Sequence, residues 1–378
     1  MNSLIKTILP GQTIGIIGGG QLGQMLAQSA KEMGYKVGIL DPTENCSAAQ
    51  VSDFHIQAEF EDLAAIKELA NRCDVITFEF ENIDTDVLDN LKKHLYLPQE
   101  TSLLKASQNR LSEKAFLKAC GVELAPYRPV HTREELQSAL EELGYPAVLK
   151  TIRFGYDGKG QKVLHSPSDI EACQVLLDQQ TCVLEKWIPF KMELSVMMVG
   201  NPTGEYVSFP VSENIHWHNI LHESIVPARI SEKVAKKAQE VAHQIAKEAH
   251  LVGTLGIEMF LTKDDQILIN ELAPRPHNSG HYTIEACDFS QFDLHIRAIC
   301  NLPLSQPILL KPAVMVNILG QHVKGVEEAV DDHPEWHLHF YGKDQAKVNR
   351  KMGHITYLTS SIEQTLKDIE SSHIWVKE

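Results

Sequence analysis

The amino-acid sequence predicts a protein of mixed α/β and α+β class, with a Rossmann-like domain at the N-terminus and a small appendage at the C-terminus. Three observations support this fold class. A β-α-β pattern with a glycine cluster runs from Thr13 to Leu40. Helical and extended segments then alternate from Glu134 to Lys186. Two apolar segments that flank Lys263-Asp264-Asp265 have the composition of a hairpin. Such alternation is typical of layered α/β and α+β domains.

The N-terminal domain is predicted over residues 1–104. Its first strand is followed by glycines, a helix and a second strand, and a later apolar run ends in the acidic string FEFEN. The predicted elements are the strand Thr13 to Ile17, the helix Gln21 to Met33 and the strands Lys36 to Leu40, Asp74 to Phe80 and Leu95 to Pro98.

The second domain is predicted over residues 105–310, with a mobile subdomain at about 122–183. Helical spacing from Leu103 to Ala119 stops at Gly121, and the prolines that follow suit a connector. The subdomain elements are a helix at Glu134 to Leu143, a strand at Ala147 to Lys150, a glycine-rich loop, a helix at Ser168 to Asp178 and a strand at Cys182 to Lys186.

Longer elements complete the second domain, and three prolines at 303, 307 and 312 separate it from residues 311–378. We predict strands at Leu194 to Val199 and Tyr206 to Pro210, a helix at Ser231 to Ala249, and paired strands at Gly253 to Leu261 and Gln266 to Glu271.

The composition is that of an ordinary globular chain. Its 378 residues, 43% of them hydrophobic, are enough for two or three domains. The 50 acidic residues outnumber the 35 basic ones, so we expect no nucleic-acid partner. No apolar run approaches the roughly 18 residues of a membrane span, so we expect no membrane partner. The seven scattered cysteines and the absence of a signal peptide indicate a cytoplasmic protein.

A glycine motif follows the first strand. Gly18, Gly20 and Gly23 have the G-x-G-x-x-G spacing, and Asp41 ends the next strand, as in a dinucleotide-binding fingerprint. Glycines permit close approach of the backbone, and the amides at a helix N-terminus attract any phosphate. A dinucleotide, another phosphorylated molecule and a purely structural turn therefore all fit this motif.

A second glycine-rich segment, GYDGKGQ at 155–161, lies just beyond Lys150. Three glycines and a lysine in one loop can fold over a polyphosphate and present amides and an ammonium group. A flexible hairpin with a charged tip is the alternative.

Two carboxylates occupy the predicted hairpin. Glu258 and Glu271 lie among apolar neighbours, and the turn between them would bring them close together. Buried carboxylates need a compensating cation, and oxygen ligands suit a Mg²⁺ ion that bridges nucleotide phosphates. The alternative is an ion pair between one glutamate and Arg275.

These motifs, with LEKWI at 184–188 and GIEMF…INELAPRPHNSGH at 256–281, together resemble the ATP-grasp superfamily. Further strings resemble its carboxyaminoimidazole ribonucleotide synthetase branch, namely FEFEN at 78–82, SENIH at 212–216, SIVPAR at 224–229, EACDFSQF at 285–292 and RKMGH at 350–354. The resemblance implies an ATP-grasp fold with a pre-ATP-grasp N-terminal domain. It also implies an ATP- and Mg²⁺-dependent ligase that carboxylates aminoimidazole ribonucleotide with bicarbonate through carboxyphosphate.

The resemblance also implies a nucleotide site. Arg110 and Lys150 would contact the ATP phosphates, and Glu193 would accept hydrogen bonds from the ribose. Glu258 and Glu271, beside Asn270, would hold one or two Mg²⁺ ions. The lid would comprise Gly155, Tyr156, Asp157, Gly158, Lys159, Gly160 and Gln161. The strand that reads adenine through its backbone would comprise Glu185, Lys186, Trp187 and Ile188, with His216 beside the nucleotide.

A substrate site is implied in the same way. Arg275 and Asn278 would hold bicarbonate, and Arg275, Lys150 and Asp157 would be catalytic. The phosphate of the ribonucleotide would bind Lys343, Arg350 and Lys351 together with the Gly18 to Gly23 turn. Candidates for its ribose, base and amine are Gln21, Glu79, Tyr156 and Asp157. The resemblance also suggests a homodimer.

The segment Thr151-Ile152-Arg153-Phe154-Gly155 departs from the family, in which Thr-Arg-x-Gly-Gly is common before the lid tyrosine. The lid loop is therefore expected to differ in backbone geometry from that of the family. His216-Trp-His218 and His277-x-x-x-His281 allow a zinc interpretation. The remaining alternatives are an ATP-grasp ligase for a formyl or amino-acid donor, an NAD-dependent oxidoreductase, and a nucleotide sensor without turnover.

Overall fold

The computed structural model describes residues 5–92, 95–155 and 158–375. Its first sheet is parallel and four-stranded, with the order β3-β2-β1-β4, and it confirms the predicted β-α-β unit. Apolar clusters cover both faces of this sheet, as expected for a parallel sheet between helices. The elements are β1 (Thr13–Ile17), α1 (Gln21–Glu32), β2 (Lys36–Leu40), β3 (Phe54–Ile56), α2 (Leu63–Arg72), β4 (Val75–Phe78) and α3 (Thr85–Leu91).

The predicted strand from Leu95 to Pro98 is wrong. Its backbone is irregular and reaches the sheet through a hydrogen bond from Ile76 N to Tyr96 O. Pro98 has no N–H to donate, so it cannot continue a ladder.

The predicted helix from Leu103 to Ala119 is two helices, α4 (Thr101–Ser107) and α5 (Arg110–Ala119). Asn109 separates them because its extended backbone ends the helical path. Its side chain also accepts hydrogen bonds from the N–H groups of Leu111 and Ser112. Arg110 therefore occupies the first position of a new helix.

The second sheet is antiparallel and four-stranded, with the order β5-β8-β6-β7. Its elements are β5 (Tyr127–Val130), α6 (Arg133–Leu143), β6 (Ala147–Thr151), β7 (Gln161–Leu164), α7 (Gln174–Leu177) and β8 (Cys182–Lys186). The predicted helix from Ser168 to Asp178 is shorter, because two 3₁₀ turns precede α7. Asp169 accepts the N–H groups of His165 and Ser166, and with Ser166 it forms a capping box that starts the first of these turns.

The third sheet has nine strands, in the order β14-β13-β9-β11-β12-β15-β17-β16, with β10 paired to β9. They are β9 (Phe190–Gly200), β10 (Tyr206–Ser208), β11 (Ser212–Trp217), β12 (Ile220–Val226), β13 (Gly253–Thr262), β14 (Ile267–Ala273), β15 (Ala313–Leu319), β16 (His337–Phe340) and β17 (Lys351–Leu358). The predicted hairpin is confirmed as β13 and β14. The C-terminal strands join the same sheet, because β15 pairs with β12.

Five helices accompany this sheet, namely α8 (Glu232–Glu248), α9 (Thr283–Ala286), α10 (Gln291–Ile299), α11 (Val323–Ala329) and α12 (Ile362–Ser371). Helix α8 begins after its N-cap Ser231, and buries Val234, Ala238, Ala242 and Ile245 against the sheet. These positions form one apolar stripe at helical spacing.

Helix α10 joins the first sheet to the third. The ring of His295 accepts the N–H of Thr254 at Nδ1, 3.1 Å away, and its Nε2 lies 2.9 Å from Thr77 Oγ1. Burial lowers the pKa of His295 to about 3, so the imidazole is neutral and Nε2 donates. Among the residues that the structure describes, no helix has the length and apolar character needed to cross a bilayer.

Candidate active site

A cavity of about 440 Å³ lies among the three sheets. Its walls include the glycine turn after β1, the start of α5, the loop after β6, the end of β14 and the C-terminal region. Nine of the predicted site residues line it: Gln21, Glu79, Arg110, Gly155, Glu271, Arg275, Asn278, Lys343 and Lys351. The fold therefore brings together predicted site residues from distant parts of the sequence.

The predicted lid loop connects β6 to β7. Lys150 pairs with Gln161 at the base of the loop, and Thr151 N donates to Gly160 O at 2.8 Å. Gly160 has a φ of 72°, and a Cβ atom there would lie 2.5 Å from Thr151 Oγ1. Glycine is required at this position for both reasons. Tyr156 and Asp157 lie outside the described residues.

The far side of the loop approaches the turn between β11 and β12. Gln161 Nε2 donates to Asn219 Oδ1 at 3.3 Å, and the same asparagine lies against Gly158. Lys159 lies between these two contacts in sequence. Phe154, the departure from the family pattern, has a φ of 62°, is 70% exposed and lines the cavity. Glycine would adopt this backbone conformation without strain.

Two lysines flank the carboxylate of Glu185. Lys150 Nζ lies 2.9 Å from Oε2, and Lys114 Nζ lies 2.9 Å from Oε1. Burial alone would raise the pKa of Glu185, but the two ammonium groups outweigh it and lower the pKa to about 2. Sequence reasoning missed Lys114. Helical spacing could have identified it, because positions 110, 113 and 114 share one face of α5 and position 110 was already a predicted site residue.

The predicted adenine segment, Glu185 to Ile188, comprises the last two residues of β8 and the two that follow it. Lys186 N donates to Pro126 O at 2.9 Å and Trp187 N donates to Pro146 O at 3.1 Å, so these two amides are already bonded within the protein. Ile188 continues the segment into β9. The structure therefore places all four residues of the segment, Glu185 included, outside the lining of the cavity.

Glu193 and His216 form a pair on the neighbouring strands β9 and β11. Their Oε2 and Nδ1 atoms lie 2.7 Å apart. Burial on its own lowers the pKa of His216, but the hydrogen bond to Glu193 and the charges of Glu193 and Glu258 together outweigh burial, and the net shift is upward. These two predicted residues are brought together, outside the lining of the main cavity.

Glu258 and Glu271 occupy opposing positions on β13 and β14. Burial, and then the charge of Glu271, raise the pKa of Glu258 to about 7. Asn270 Nδ2 donates to Glu258 Oε2 at 3.4 Å. Two carboxylates and a carboxamide oxygen suit Mg²⁺, and the repulsion between the carboxylates is what a divalent cation would relieve.

The predicted alternative, in which Arg275 pairs with one of these glutamates, is wrong. Arg275 Nη2 lies 2.9 Å from Glu81 Oε1, and Arg110 Nη1 instead donates to Glu271 Oε2 at 3.1 Å. Glu113 adds a further buried carboxyl group beside this pair and accepts the N–H of Leu272. Burial, and then Glu271, raise the pKa of Glu113 to about 8.

The histidines at 277 and 281 do not share one face of an α-helix, because a 3₁₀ turn separates them. His277 Nδ1 lies 2.8 Å from Ser279 Oγ, and His281 Nδ1 lies 3.2 Å from Gln291 Nε2. Within residues 5–92, 95–155 and 158–375, no three His, Cys, Asp or Glu side chains are placed to hold a metal ion.

His277 lines the cavity, a position that the sequence analysis considered only for zinc. Burial and the nearby cations, Arg275 first, lower its pKa well below the usual value, so the imidazole is neutral. Its Nε2 lies 3.5 Å from Glu258 Oε1. The string HNSGH gave the signal for this position, but spacing alone could not show which side chain faces the cavity.

Carboxylates hold the amides of the glycine motif. Glu79 accepts the N–H groups of Gly20 at 2.7 Å and Gly23 at 2.9 Å, and Asp41 accepts that of Gly19 at 2.7 Å. Burial raises the pKa of Glu79, and the two amide bonds offset this only in part. The prediction that the whole turn seats a phosphate is corrected, because these three amides are already bonded. A dinucleotide pyrophosphate would meet the same obstacle.

The cationic end of the cavity is formed by the C-terminal region. Lys343 Nζ donates to Gln21 Oε1 at 2.6 Å and to Lys351 O at 2.7 Å. Burial, and then Arg350, lower the pKa of Lys343 to about 8. Arg350 lies outside the lining of the cavity, is exposed, and donates to Gln345 O, and its contact with the substrate phosphate stays a prediction.

Asn278 lies at the back of the cavity in a reciprocal pair of carboxamides. Its Nδ2 donates to Asn317 Oδ1 at 3.0 Å, and Asn317 Nδ2 donates back to its Oδ1 at 2.8 Å. Asn317 also donates to Leu221 O at 2.8 Å. These bonds fix the orientation of Asn278.

Comparison with known families gives three successive matches along the chain. A ribonucleotide synthetase preATP-grasp domain matches residues 11–108, and an ATP-grasp domain matches residues 115–292. A phosphoribosylaminoimidazole carboxylase C-terminal domain matches residues 313–368.

Whole proteins are similar as well. The N5-carboxyaminoimidazole ribonucleotide synthase of Bacillus subtilis (strain 168) is 52% identical over 364 residues, which cover 96% of each chain. A crystal structure of an ADP complex of an N5-carboxyaminoimidazole ribonucleotide synthetase matches with a TM-score of 0.96 and 55% identity, over 98% of this chain and 99% of the other.

A third relative carries a second ligand. The synthase of Aspergillus clavatus, crystallised with ADP and 5-aminoimidazole ribonucleotide, matches with a TM-score of 0.90 and 36% identity. The match covers 96% of this chain and 97% of that one. With the three domains in order and identity sustained over nearly the whole length, the chain belongs to the N5-carboxyaminoimidazole ribonucleotide synthase family of ATP-grasp ligases.

Proposed function

We propose that this chain carboxylates 5-aminoimidazole ribonucleotide with bicarbonate and ATP. The products are N5-carboxyaminoimidazole ribonucleotide, ADP and phosphate, in de novo purine biosynthesis. One observation carries the proposal: a single cavity is lined by Arg110 and Glu271, by Arg275, and by Gln21 with Lys343. Arg110 and Glu271 suit a polyphosphate with its metal ion, and Arg275 suits a small oxyanion. Gln21 and Lys343 suit a phosphorylated substrate.

The nucleotide binds between the second and third sheets in this proposal. Arg110 and Lys150 bind the phosphates, the 155–161 loop covers them, and Glu193 accepts hydrogen bonds from the ribose hydroxyls. Glu258 and Glu271, with Asn270, hold Mg²⁺. The metal, when bound, neutralises charge on the β- and γ-phosphates during phosphoryl transfer.

The chemistry takes two steps. An oxygen of bicarbonate attacks the γ-phosphorus, ADP leaves, and carboxyphosphate forms. The exocyclic amine of the ribonucleotide then forms a bond to the carboxyl carbon, either in carboxyphosphate or in CO₂ released from it. Phosphate leaves and takes up the proton that the amine loses. The protein chiefly positions the reactants and excludes water.

The second and third substrates bind at the other end of the cavity. Arg275 holds bicarbonate beside the γ-phosphate, and the fixed carboxamide of Asn278 orients it. A guanidinium has five N–H donors, more than the contacts of Arg275 to Glu81 and Pro276 use. Lys343 and Lys351, with Gln21, bind the ribonucleotide phosphate, and Glu79 lies beside the amine. Tyr156 and Asp157 remain predicted contacts.

Phosphate release from MgATP tests the proposal. We expect release to require both bicarbonate and aminoimidazole ribonucleotide, and to be lost in Glu271→Gln. Asp264→Asn is the matched control, because it removes the same charge from the exposed turn of the same hairpin. Release supported by formate or an amino acid in place of bicarbonate would contradict the proposed substrate and favour another ligase of this fold.

We also propose a homodimer in the cytoplasm. The resemblance to the family supports the dimer, and the free state of all seven cysteines suits a reducing compartment. Sedimentation velocity should give twice the 42.4 kDa mass of the chain. A monomer at micromolar concentration would contradict the dimer.

A further inference from the structure

The two lysines that contact Glu185 have different surroundings. Lys114 is only 2% exposed at its side chain, and Glu185 is 6% exposed, so this pair is sealed inside the protein. Lys114 also lies 5.3 Å from the centre of the Tyr127 ring. Lys150, at 14%, is the most exposed of the three and lies in β6 at the base of the lid loop. Lys114 is therefore a fixed partner of Glu185, and Lys150 is the partner nearer to solvent.

The charges of this cluster do not cancel. One carboxylate and the two ammonium groups that contact it leave a net charge of +1. Glu185 counts as a carboxylate because its pKa is lowered to about 2 although the residue is buried. If Lys150 were the only lysine in contact, its movement toward a phosphate would leave the buried carboxylate without an ion pair, because the nearby Arg110 is paired with Glu271. Such a change is strongly unfavourable in a protein interior. With Lys114 in place, Glu185 keeps a counter-ion when Lys150 moves.

We propose that Lys114 is a positioning residue, the permanent counter-ion of Glu185, whose presence leaves Lys150 available to bind nucleotide phosphates. The inference rests on the proposed function, because it takes Lys150 as a phosphate ligand. It adds a residue outside the lining of the cavity that acts only through Glu185 and Lys150.

The charge count makes the inference testable with methionine and glutamine substitutions. Lys114→Met leaves Glu185 and Lys150 as a neutral pair, and the affinity for MgADP should fall about 10- to 100-fold, as for a lost charge-assisted hydrogen bond. Adding Glu185→Gln removes the carboxylate as well and restores the net charge of +1. The double variant should therefore bind MgADP within about threefold of wild type, because the predicted contact of residue 185 with adenine is made by its backbone and survives the substitution. Lys118→Met, an exposed lysine on the same helix, is the matched control.

The measurement is calorimetric titration of the full-length protein with MgADP, with thermal unfolding to verify folding. Wild-type affinity in Lys114→Met would overturn the inference. So would a double variant no better than Lys114→Met, because that result indicates a merely structural role. If Lys114→Met does not fold, Glu185→Gln alone is compared with the double variant. Equal affinity supports the inference, and weaker binding by the double variant overturns it.

Failure of the proposed function gives a different pattern. If wild type did not bind MgADP, the chain would lack the proposed nucleotide site. If Lys150→Met bound MgADP with full affinity, Lys150 would not be a phosphate ligand. Loss of binding in Lys150→Met together with normal binding in Lys114→Met would leave the proposed function intact and overturn only this inference.

Discussion

Glu258 and Glu271 face each other across the ladder of β13 and β14, and the charge of Glu271 disfavours ionisation of Glu258. A site with this repulsion binds Mg²⁺ more weakly when one carboxylate becomes an amide. We expect Glu258→Gln to raise the Mg²⁺ concentration for half-maximal phosphate release by about tenfold or more. A titration with Mg²⁺ at saturating ATP measures this change. An unchanged midpoint would remove Glu258 from the metal site.

The lid loop should tolerate no side chain at Gly160, because its φ is positive and a Cβ atom would meet Thr151 Oγ1. We expect Gly160→Ala to cost about 1–3 kcal/mol locally and to raise the KM for ATP. Steady-state kinetics with ATP as the varied substrate measures the effect.

Gly204→Ala separates the effect of the positive φ from the effect of the contact with Thr151. Gly204 has a φ of 82°, similar to that of Gly160, but a Cβ atom there has open space around it. This control should lower stability without changing the KM for ATP. Equal effects of both substitutions on that constant would contradict a local role for the lid.

Phe154 adopts the left-handed backbone conformation that disfavours aromatic and β-branched residues. Phe154→Gly should leave the free energy of unfolding unchanged or raise it by up to about 1 kcal/mol, because relief of strain opposes the greater entropy of the unfolded chain. Phe154→Val should lower it. Chemical denaturation of the three proteins measures the order, and a valine variant as stable as the glycine variant would contradict it.

Glu113 should make the protein less stable as pH rises. Its pKa in the folded state, about 8, lies above the ordinary glutamate value, so the folded protein holds a proton that the unfolded chain has lost between about pH 4.5 and 8. Stability is therefore lost across that window, by at most about 5 kcal/mol.

Glu113→Gln keeps an oxygen for the N–H of Leu272 and removes the titration. Unfolding by urea at pH 5, 6, 7 and 8 should show a shallower decline for this variant than for wild type. Parallel pH profiles would show that Glu113 does not titrate in this window.

Lys343 should link substrate capture to pH. Its ammonium binds phosphate only when protonated, and burial, followed by Arg350, lowers its pKa to about 8. The value of kcat/KM for the ribonucleotide should therefore fall about tenfold between pH 7 and 9. Lys343→Met should abolish this dependence at a low activity, whereas Lys347→Met, on an exposed site nearby, should keep it. A flat profile in wild type would contradict the assignment.

Local sequence patterns were enough to predict most of the helices and strands. The hairpin of β13 and β14 was predictable because its turn, Lys263-Asp264-Asp265, is encoded within a few residues. The break at Asn109 was missed because the apolar spacing continues across it, and only the capping bonds to Leu111 and Ser112 stop the helix. Local sequence also could not show that β15 pairs with β12. The end of β12 and the start of β15 are separated by 86 residues, and the sequence of a strand does not specify which strand it pairs with.

The candidate site shows the same limit. The resemblance to the family identified many of the residues that face the cavity, but it did not show which partners these residues contact within the protein. Glu79 bonds to Gly20 and Gly23 across 59 and 56 residues, and this bonding changes the interpretation of the glycine motif. Lys114 was missed because a lysine on an amphipathic helix usually faces solvent, and only the fold places Glu185 above it.

The continuity of the nine-stranded sheet limits how this chain can be divided. Strand β12 is buried along its whole length, and β15 covers one of its backbone edges. A fragment that ends before Ala313 would expose that edge of a buried strand as a template for intermolecular pairing. We therefore expect such a fragment to aggregate, and recombination or circular permutation to succeed only at surface loops that leave β12 and β15 together.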